Sequence, residues 1–286
     1  GVDMLTREKE QELLSLAAGI RTQIVHMISK AGAGHVGGSL SIADLMACLY
    51  GGQMDVDPSN PRWENRDRIV LSKGHAGPAM YAALALKEFF PIGMLESLNQ
   101  PATSLPSHTD RRRTPGVDMT TGSLGQGAST AAGIALALKK SGKPQYTYLI
   151  LGDGECQEGQ VWEAVEFAAA QKLERLIAFV DNNGKQVDGP LQMAMGDVPG
   201  FGERFRAFGW RTIEVEDGND VRQIWEAIDA AKNGAENKPT VIVLHTVKGK
   251  GWSYTEGMEN CHSISVSSEQ AAEAAKEFAM QGGVQR

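Results

Sequence analysis

Five short apolar runs in this chain end in the same kind of loop, and that recurrence constrains the fold more than any other feature. RDRIVLS runs into SKGHAGP, YTYLIL into GDGE, RLIAFV into DNNG, RTIEV into EDGND and TVIVLH into TVKGKG. Each run reads as a buried strand, Arg68 to Ser72 being the first, and each loop is rich in glycine, acid or amide groups. Helical patterns around residues 126–140, 158–171, 220–232 and 268–281 fill the intervals. The resulting β-α-β-α order predicts an α/β fold, a mostly parallel, doubly wound sheet with helices on both faces. Such sheets bind ligands at the carboxyl ends of their strands, beside a topological switch point, so function is expected in these loops. Ahead of the strands, residues 5–30 place Leu13, Ala17, Ile20, Ile24 and Ile28 at the spacing of a helix with one buried face. A second helix is expected from about Ile42 to Tyr50, and a third carries Pro78 in its first turn, where a missing N–H does no harm.

A length of 286 residues is enough for one large core, and no composition shift or repeat marks a boundary, so residues 1–286 are read as a single domain. The 28 basic and 35 acidic side chains leave a net charge of −7, which gives no pull toward nucleic acid or an anionic membrane. No apolar run approaches the ~18–20 residues of a membrane span, and the first twenty residues mix charge with apolar side chains, unlike a secretory leader. Cys48, Cys156 and Cys261 are far apart in sequence, which fits a reducing cytoplasm better than a disulfide framework or a cysteine zinc site. From Ser267 the tail reads as a terminal helix that frays at GGVQR.

The most specific local signal is Gly152-Asp153-Gly154 after LIL with Asn182-Asn183-Gly184 after IAFV, thirty residues apart from Asp153 to Asn183. Either half alone is a common turn. Together they put a carboxylate and an amide oxygen at neighbouring strand ends, a donor set for a hard cation such as Mg²⁺ (or Ca²⁺ or Mn²⁺) that also holds phosphate oxygens. A helix beginning near Glu155 would turn its N–H groups to the same anion. Four of the six histidines, His35, His75, His108 and His262, fall in Gly-, Ser- or Pro-rich loops, where polar chemistry concentrates. His26, within a helix, and His245, at a strand end, are read as structural.

These residues carry a resemblance. GDG followed by NN is similar to the thiamine diphosphate fold, and GHVGGSLS, SKGHA, TTGSLGQG, GDGECQEG and DNNG, in that order, resemble transketolases over about residues 10–265. The resemblance implies that Asp153, Asn183 and the Lys185 main-chain carbonyl are metal ligands. It also implies cofactor contacts from His75, Gly122, Ser123, Leu124, Gly154 and His262, with Leu124 beneath the rings. His35, His108 and His262 become the substrate-facing, catalytic group, and Glu158 belongs to a network between paired active sites or, equally, to a solvated first helical turn. The implied activity moves a two-carbon ketol unit from a ketose, in particular a ketose phosphate, to an aldose, using thiamine diphosphate and a divalent metal.

Three positions depart from the family pattern: Val36 stands where proline is common, Lys185 where an apolar residue is usual, and S-H-T-D replaces G-H-P-acid, with Arg111, Arg112 and Arg113 following. That arginine run reads as a solvated loop, with capture of a substrate phosphate or sulfonate, or of a partner subunit, as alternatives. The resemblance covers the diphosphate-binding part of a transketolase. The expectation is therefore an N-terminal subunit of a split enzyme, joined by a C-terminal subunit with the pyrimidine-binding domain in a heterotetramer, with the surface around Leu124 and Glu158 at the interface. Two alternatives stay open: another thiamine diphosphate enzyme (1-deoxyxylulose-5-phosphate synthase-like, or a 2-oxo acid dehydrogenase α subunit), and a non-catalytic scaffold subunit of the same fold.

Overall fold

Strands buried on both faces read as unbroken apolar runs, and the five runs assemble accordingly. In the computed structural model, which describes residues 5–186, 189–234 and 236–283, they are β1 (Arg68–Leu71), β2 (Thr147–Gly152), β3 (Leu176–Asn182), β4 (Arg211–Val215) and β5 (Thr240–His245). They form one fully parallel sheet in the order β1-β2-β3-β5-β4. Alternate side chains serve two cores. Val70, Leu149, Leu151, Ala178, Val180, Val241 and Val243 point to one face, and Ile69, Leu71, Tyr148, Ile150, Ile177, Phe179, Ile242 and Leu244 to the other.

The longer helices are α1 (Arg7–Ala31), α2 (Ala43–Cys48), α3 (Gly77–Leu86), α4 (Gln126–Lys140), α5 (Gly159–Ala170), α6 (Phe201–Ala207), α7 (Val221–Asn233) and α8 (Ser268–Gln281). The first face packs α4, α5 and α6, and the second packs α1, α2, α3, α7 and α8. The switch of face follows from handedness: the chain winds outward from β1 to β4 and then turns back to β5, so α7, like any right-handed crossover, lands on the opposite side. The winding therefore reverses beside β3 and β5, and register sets Gly152 opposite Asp181 and Asn182 opposite His245 at the shared carboxyl edge.

Local chemistry fixes the ends. Thr6 caps α1, its hydroxyl accepting from Lys9 N at 3.1 Å, and a capping box of Ser267 and Gln270 starts α8. Gly282 and Gly283 form a turn after α8, whereas Val284–Arg286, the rest of the tail expected to fray, lie outside the described residues. Two expectations are corrected. The helix expected near Glu155 is a tight 3₁₀ turn, Gly154–Gln157, and Glu158 is extended (φ −68°, ψ 125°), so α5 begins only at Gly159. The second helix stops at Cys48 and widens into a π-type turn, Leu49–Gln53, where Gly52 takes φ 153°.

A short antiparallel pair not foreseen from sequence, Ala33–Gly34 with Ile264–Ser265, brings the segments bearing His35 and His262 together. Gly37 N donates to Cys261 O at 2.9 Å. A Cβ at Gly37 would lie 2.6 Å from that oxygen, so only glycine permits the approach.

Candidate active site

Asp153 joins the two loops of the GDG/NNG signal. Its carboxylate accepts from Gly154 N and, across the strand boundary, from Gly184 N, both at 2.7 Å. Only 3% of Asp153 is exposed. Burial, and then the neighbouring Asp181, push its carboxyl up to about 6 against the pull of those N–H groups and Lys73. Asn183 Oδ1 accepts from Lys185 N at 3.1 Å, and Lys185 O accepts from Lys248 Nζ at 3.0 Å. Among the described residues no group of three or more His, Cys, Asp or Glu side chains is placed to hold a metal. The oxygen donors here are instead one carboxylate, one amide and one main-chain carbonyl, a set that suits a hard cation. A cation fits this place, because a buried carboxylate crowded by a second one is relieved by positive charge.

A cavity of ≈200 Å³ opens on this corner, and its lining brings together Asp153, Gly154, Asn183, Lys185, His75, His262 and Leu124. Lys73, Glu155, Gln186 and Lys248 also line it. Two buried lysines facing one cavity favour a polyanion, and burial and then Lys73 draw the Lys248 ammonium below its ordinary range. A larger cavity, ≈680 Å³, lies beyond β3 against Glu214, His245 and the 190–204 segment. It contains none of the site residues expected from sequence, so donor chemistry and not size distinguishes the site.

The four loop histidines meet at the rim. Ring centroids lie 4.9 Å apart for His75 and His262, 5.2 Å for His35 and His262, 5.4 Å for His35 and His75, and 5.7 Å for His35 and His108. The group thus leads outward from the cavity, with His108 at its outer end. Burial, and then Lys73, His262 and His35, hold His75 down to about 2; burial, and then Lys248, His35 and Lys73, hold His262 to about 4; burial, His108 and Lys248 lower His35. A lowered value favours the neutral imidazole, which can accept one hydrogen bond while donating another. His26 and His245 stand apart, facing Glu96 at 3.4 Å and Glu214 at 2.9 Å.

Gly122, Ser123, Glu158, His35 and His108 lie outside the cavity lining. Gly122 lies against His108, whose side chain a Cβ would meet at 3.7 Å. Ser123 O accepts from Gln126 N at 3.4 Å at the entry to α4, and Leu124 is 38% exposed. Glu158 is exposed at the start of α5 beside Gly125.

Four buried charges were missed from sequence. Lys73 donates to Gly38 O at 2.8 Å and to Asp181, which also accepts from Ser41 Oγ at 2.7 Å, Asn183 Nδ2 at 3.1 Å and Thr246 Oγ1. Lys248 reaches His262 Nδ1 at 3.4 Å. Glu155 accepts from Ser72 Oγ, Gly125 N at 2.9 Å and Gly152 N at 3.0 Å. The one available signal was the position of each charge at an apolar strand's end. Glu155→Gln turns an amide N–H toward donors, leaving at least one of them unsatisfied, and should cost about 1–3 kcal/mol. Urea denaturation checks this; an unchanged midpoint with an unchanged slope would refute the role.

The thiamine diphosphate binding domain of transketolase, as a family model, matches residues 14–283. The chain belongs to the transketolase family. It is 48% identical over 275 residues to a 6-deoxy-6-sulfo-D-fructose transketolase subunit of Clostridium sp. (strain MSTE9), covering 96% of this chain and 99% of that one. It is 35% identical over 259 residues to an apulose-4-phosphate transketolase subunit of Phocaeicola vulgatus, covering 90% of each. The transketolase structure from Campylobacter jejuni superposes with a TM-score of 0.84 at 30% identity, over 97% of this chain and 43% of that one. The chain thus spans less than half the length of the solved transketolase.

Proposed function

We propose that this chain is the diphosphate-binding half of a two-chain transketolase, moving a two-carbon ketol unit from a ketose bearing a phosphate or sulfonate to an aldose acceptor. The observation that carries the reading is the joining of the GDG and NNG loops through Asp153, which lines one cavity with His75 and His262 of the histidine cluster. Two relatives matched over at least nine-tenths of their length are named transketolase subunits, which supports a partner carrying the pyrimidine-binding domain and a heterotetramer of two copies of each chain. The reading takes residues 1–286 as one domain in the cytoplasm, in keeping with three free, buried cysteines. No helix among the described residues is long and apolar enough to cross a membrane.

Thiamine diphosphate with Mg²⁺ (or Ca²⁺ or Mn²⁺), when bound, supplies the carbon nucleophile and electron sink that side chains lack. Asp153, Asn183 and the Lys185 carbonyl hold the cation, while Lys73, Lys248 and His75 face the diphosphate and Leu124 offers an apolar surface to the rings. His35, His108 and His262 donate to sugar hydroxyls, take the proton from a hydroxyl as its oxygen becomes a carbonyl, and return one where an alkoxide forms. Glu158 lies on the face that meets the paired half.

The chain alone should show no ketol transfer, and activity should appear on adding the partner. In that assembly His108→Ala should lower kcat and kcat/KM together by about 100-fold, with cofactor affinity nearly unchanged. Ketol transfer by the purified single chain, or pyruvate decarboxylation in place of ketol transfer by the pair, would overturn the reading. An assembled pair that fails to bind thiamine diphosphate would make the chain a scaffold.

A further inference from the structure

A second concentration of positive charge lies away from the histidines. A cavity of ≈560 Å³ is lined by Arg62, Arg66, Arg111, Arg112 and Arg113, in a chain whose net charge is −7. It shares no lining residue with the diphosphate-side cavity. The one acid in its lining, Asp118, and the adjacent Asp110 are already engaged. Asp118 accepts from Arg66 Nε at 3.0 Å, from Arg66 Nη2, and from Ile69 N at 3.0 Å. Asp110 accepts from Arg112 N at 2.9 Å and faces Arg113 Nε at 3.6 Å. Among the described residues, the guanidinium groups of Arg62, Arg111 and Arg112 meet no acceptor.

The arm that carries the arginine run is anchored along β1. Thr121 Oγ1 donates to Leu71 O at the carboxyl end of β1, whereas Asp118 holds Ile69 N near its start. Thr109 pairs with Thr121 through their hydroxyls, and Arg111 N donates to Thr120 Oγ1. The arm from 109 to 121 therefore leads away from His108, back along the edge strand. Its turn is held by Asp110 O, which accepts from Arg113 N and Thr114 N at 3.1 and 3.0 Å, and by buried Thr114, which donates to Ser104 O. Consecutive guanidinium groups on a fixed turn repel one another and are matched in shape and charge to the oxygens of a phosphate or sulfonate.

We propose that this cavity is a second anion site, taking a small organic phosphate or sulfonate, distinct from the diphosphate-binding cavity and independent of the transferase reading. The test is calorimetric titration of the full chain with glycerol 3-phosphate, with glycerol as the uncharged control and ionic strength held by sodium chloride so that general screening is constant. Saturable binding is expected, weakened at least tenfold by Arg111→Gln/Arg112→Gln and unchanged by His262→Ala. The arginines are exposed, so the double variant should keep the wild-type circular dichroism spectrum and melting temperature. Equal affinity in the double variant, loss in His262→Ala alone, or no saturable binding overturns the proposal. The last result, with partner assembly impaired by the double variant, would assign the arginines to an acidic protein surface instead.

Discussion

Asp153→Asn should weaken thiamine diphosphate binding by the two-chain assembly in Mg²⁺ by at least ~100-fold, since changes merely behind a ligand already cost 10–100-fold. The asparagine keeps an acceptor for one of the two N–H groups but removes the charge a cation needs. A pH signature separates this from loosened loops. The Asp153 carboxyl is raised from 3.8 to about 6 by burial and Asp181, so its protonated form stabilises the metal-free chain. That contribution is complete below pH 3.8 and is lost as pH rises through about 6. A divalent cation with the diphosphate offsets the loss, so the ligand-induced rise in Tm should be larger at pH 8 than at pH 5, and Asp153→Asn should abolish the difference. Undiminished calorimetric affinity in the variant would remove Asp153 from the site.

Much of this was legible in sequence, for a physical reason. Strands buried on both faces leave continuous apolar runs such as Leu149–Leu151 and Ile177–Val180, and the loops after them concentrate the Gly, Asp and Asn that turns and anions require. What stayed hidden was long-range. Ala33–Gly34 and Ile264–Ser265 pair over only two residues each, too few for any periodicity, yet they bring His35 to His262. Glu155 reads as a first-turn helix acid, whereas Ser72 and the N–H groups of Gly125 and Gly152 converge on it and the helix starts later. Lys73 and Asp181 stand at apolar strand ends, but nothing local reveals partners 108 positions apart. The arginine run reads from sequence as a solvated loop, and its three arginines are exposed; what the sequence does not show is that the arm carrying them is anchored along β1.

Lys73→Met should destabilise the chain by about 3–5 kcal/mol, the cost of leaving one member of a buried ion pair alone, against a total of roughly 5–15 kcal/mol for a folded domain. Lys73 is 1% exposed and Asp181 fully buried. Burial alone would drive the Asp181 carboxyl upward, but Lys73, aided by the Thr246 and Ser41 hydroxyls, holds it below its ordinary value. A carboxyl so depressed contributes stability above pH 3.8 that disappears as pH falls through its folded value. The gap in urea-denaturation stability between wild type and Lys73→Met should therefore be widest near neutrality and narrow toward acid, and Lys73→Arg, which keeps the charge but changes the fork, should recover part of it. A gap under ~1 kcal/mol, or one that does not vary with pH, would show that the hydroxyls and Asn183 suffice for Asp181. The consequence reaches the site: Asp181 accepts from Asn183 Nδ2, so the ion pair that supports the sheet's edge also fixes which way Asn183 Oδ1 can face.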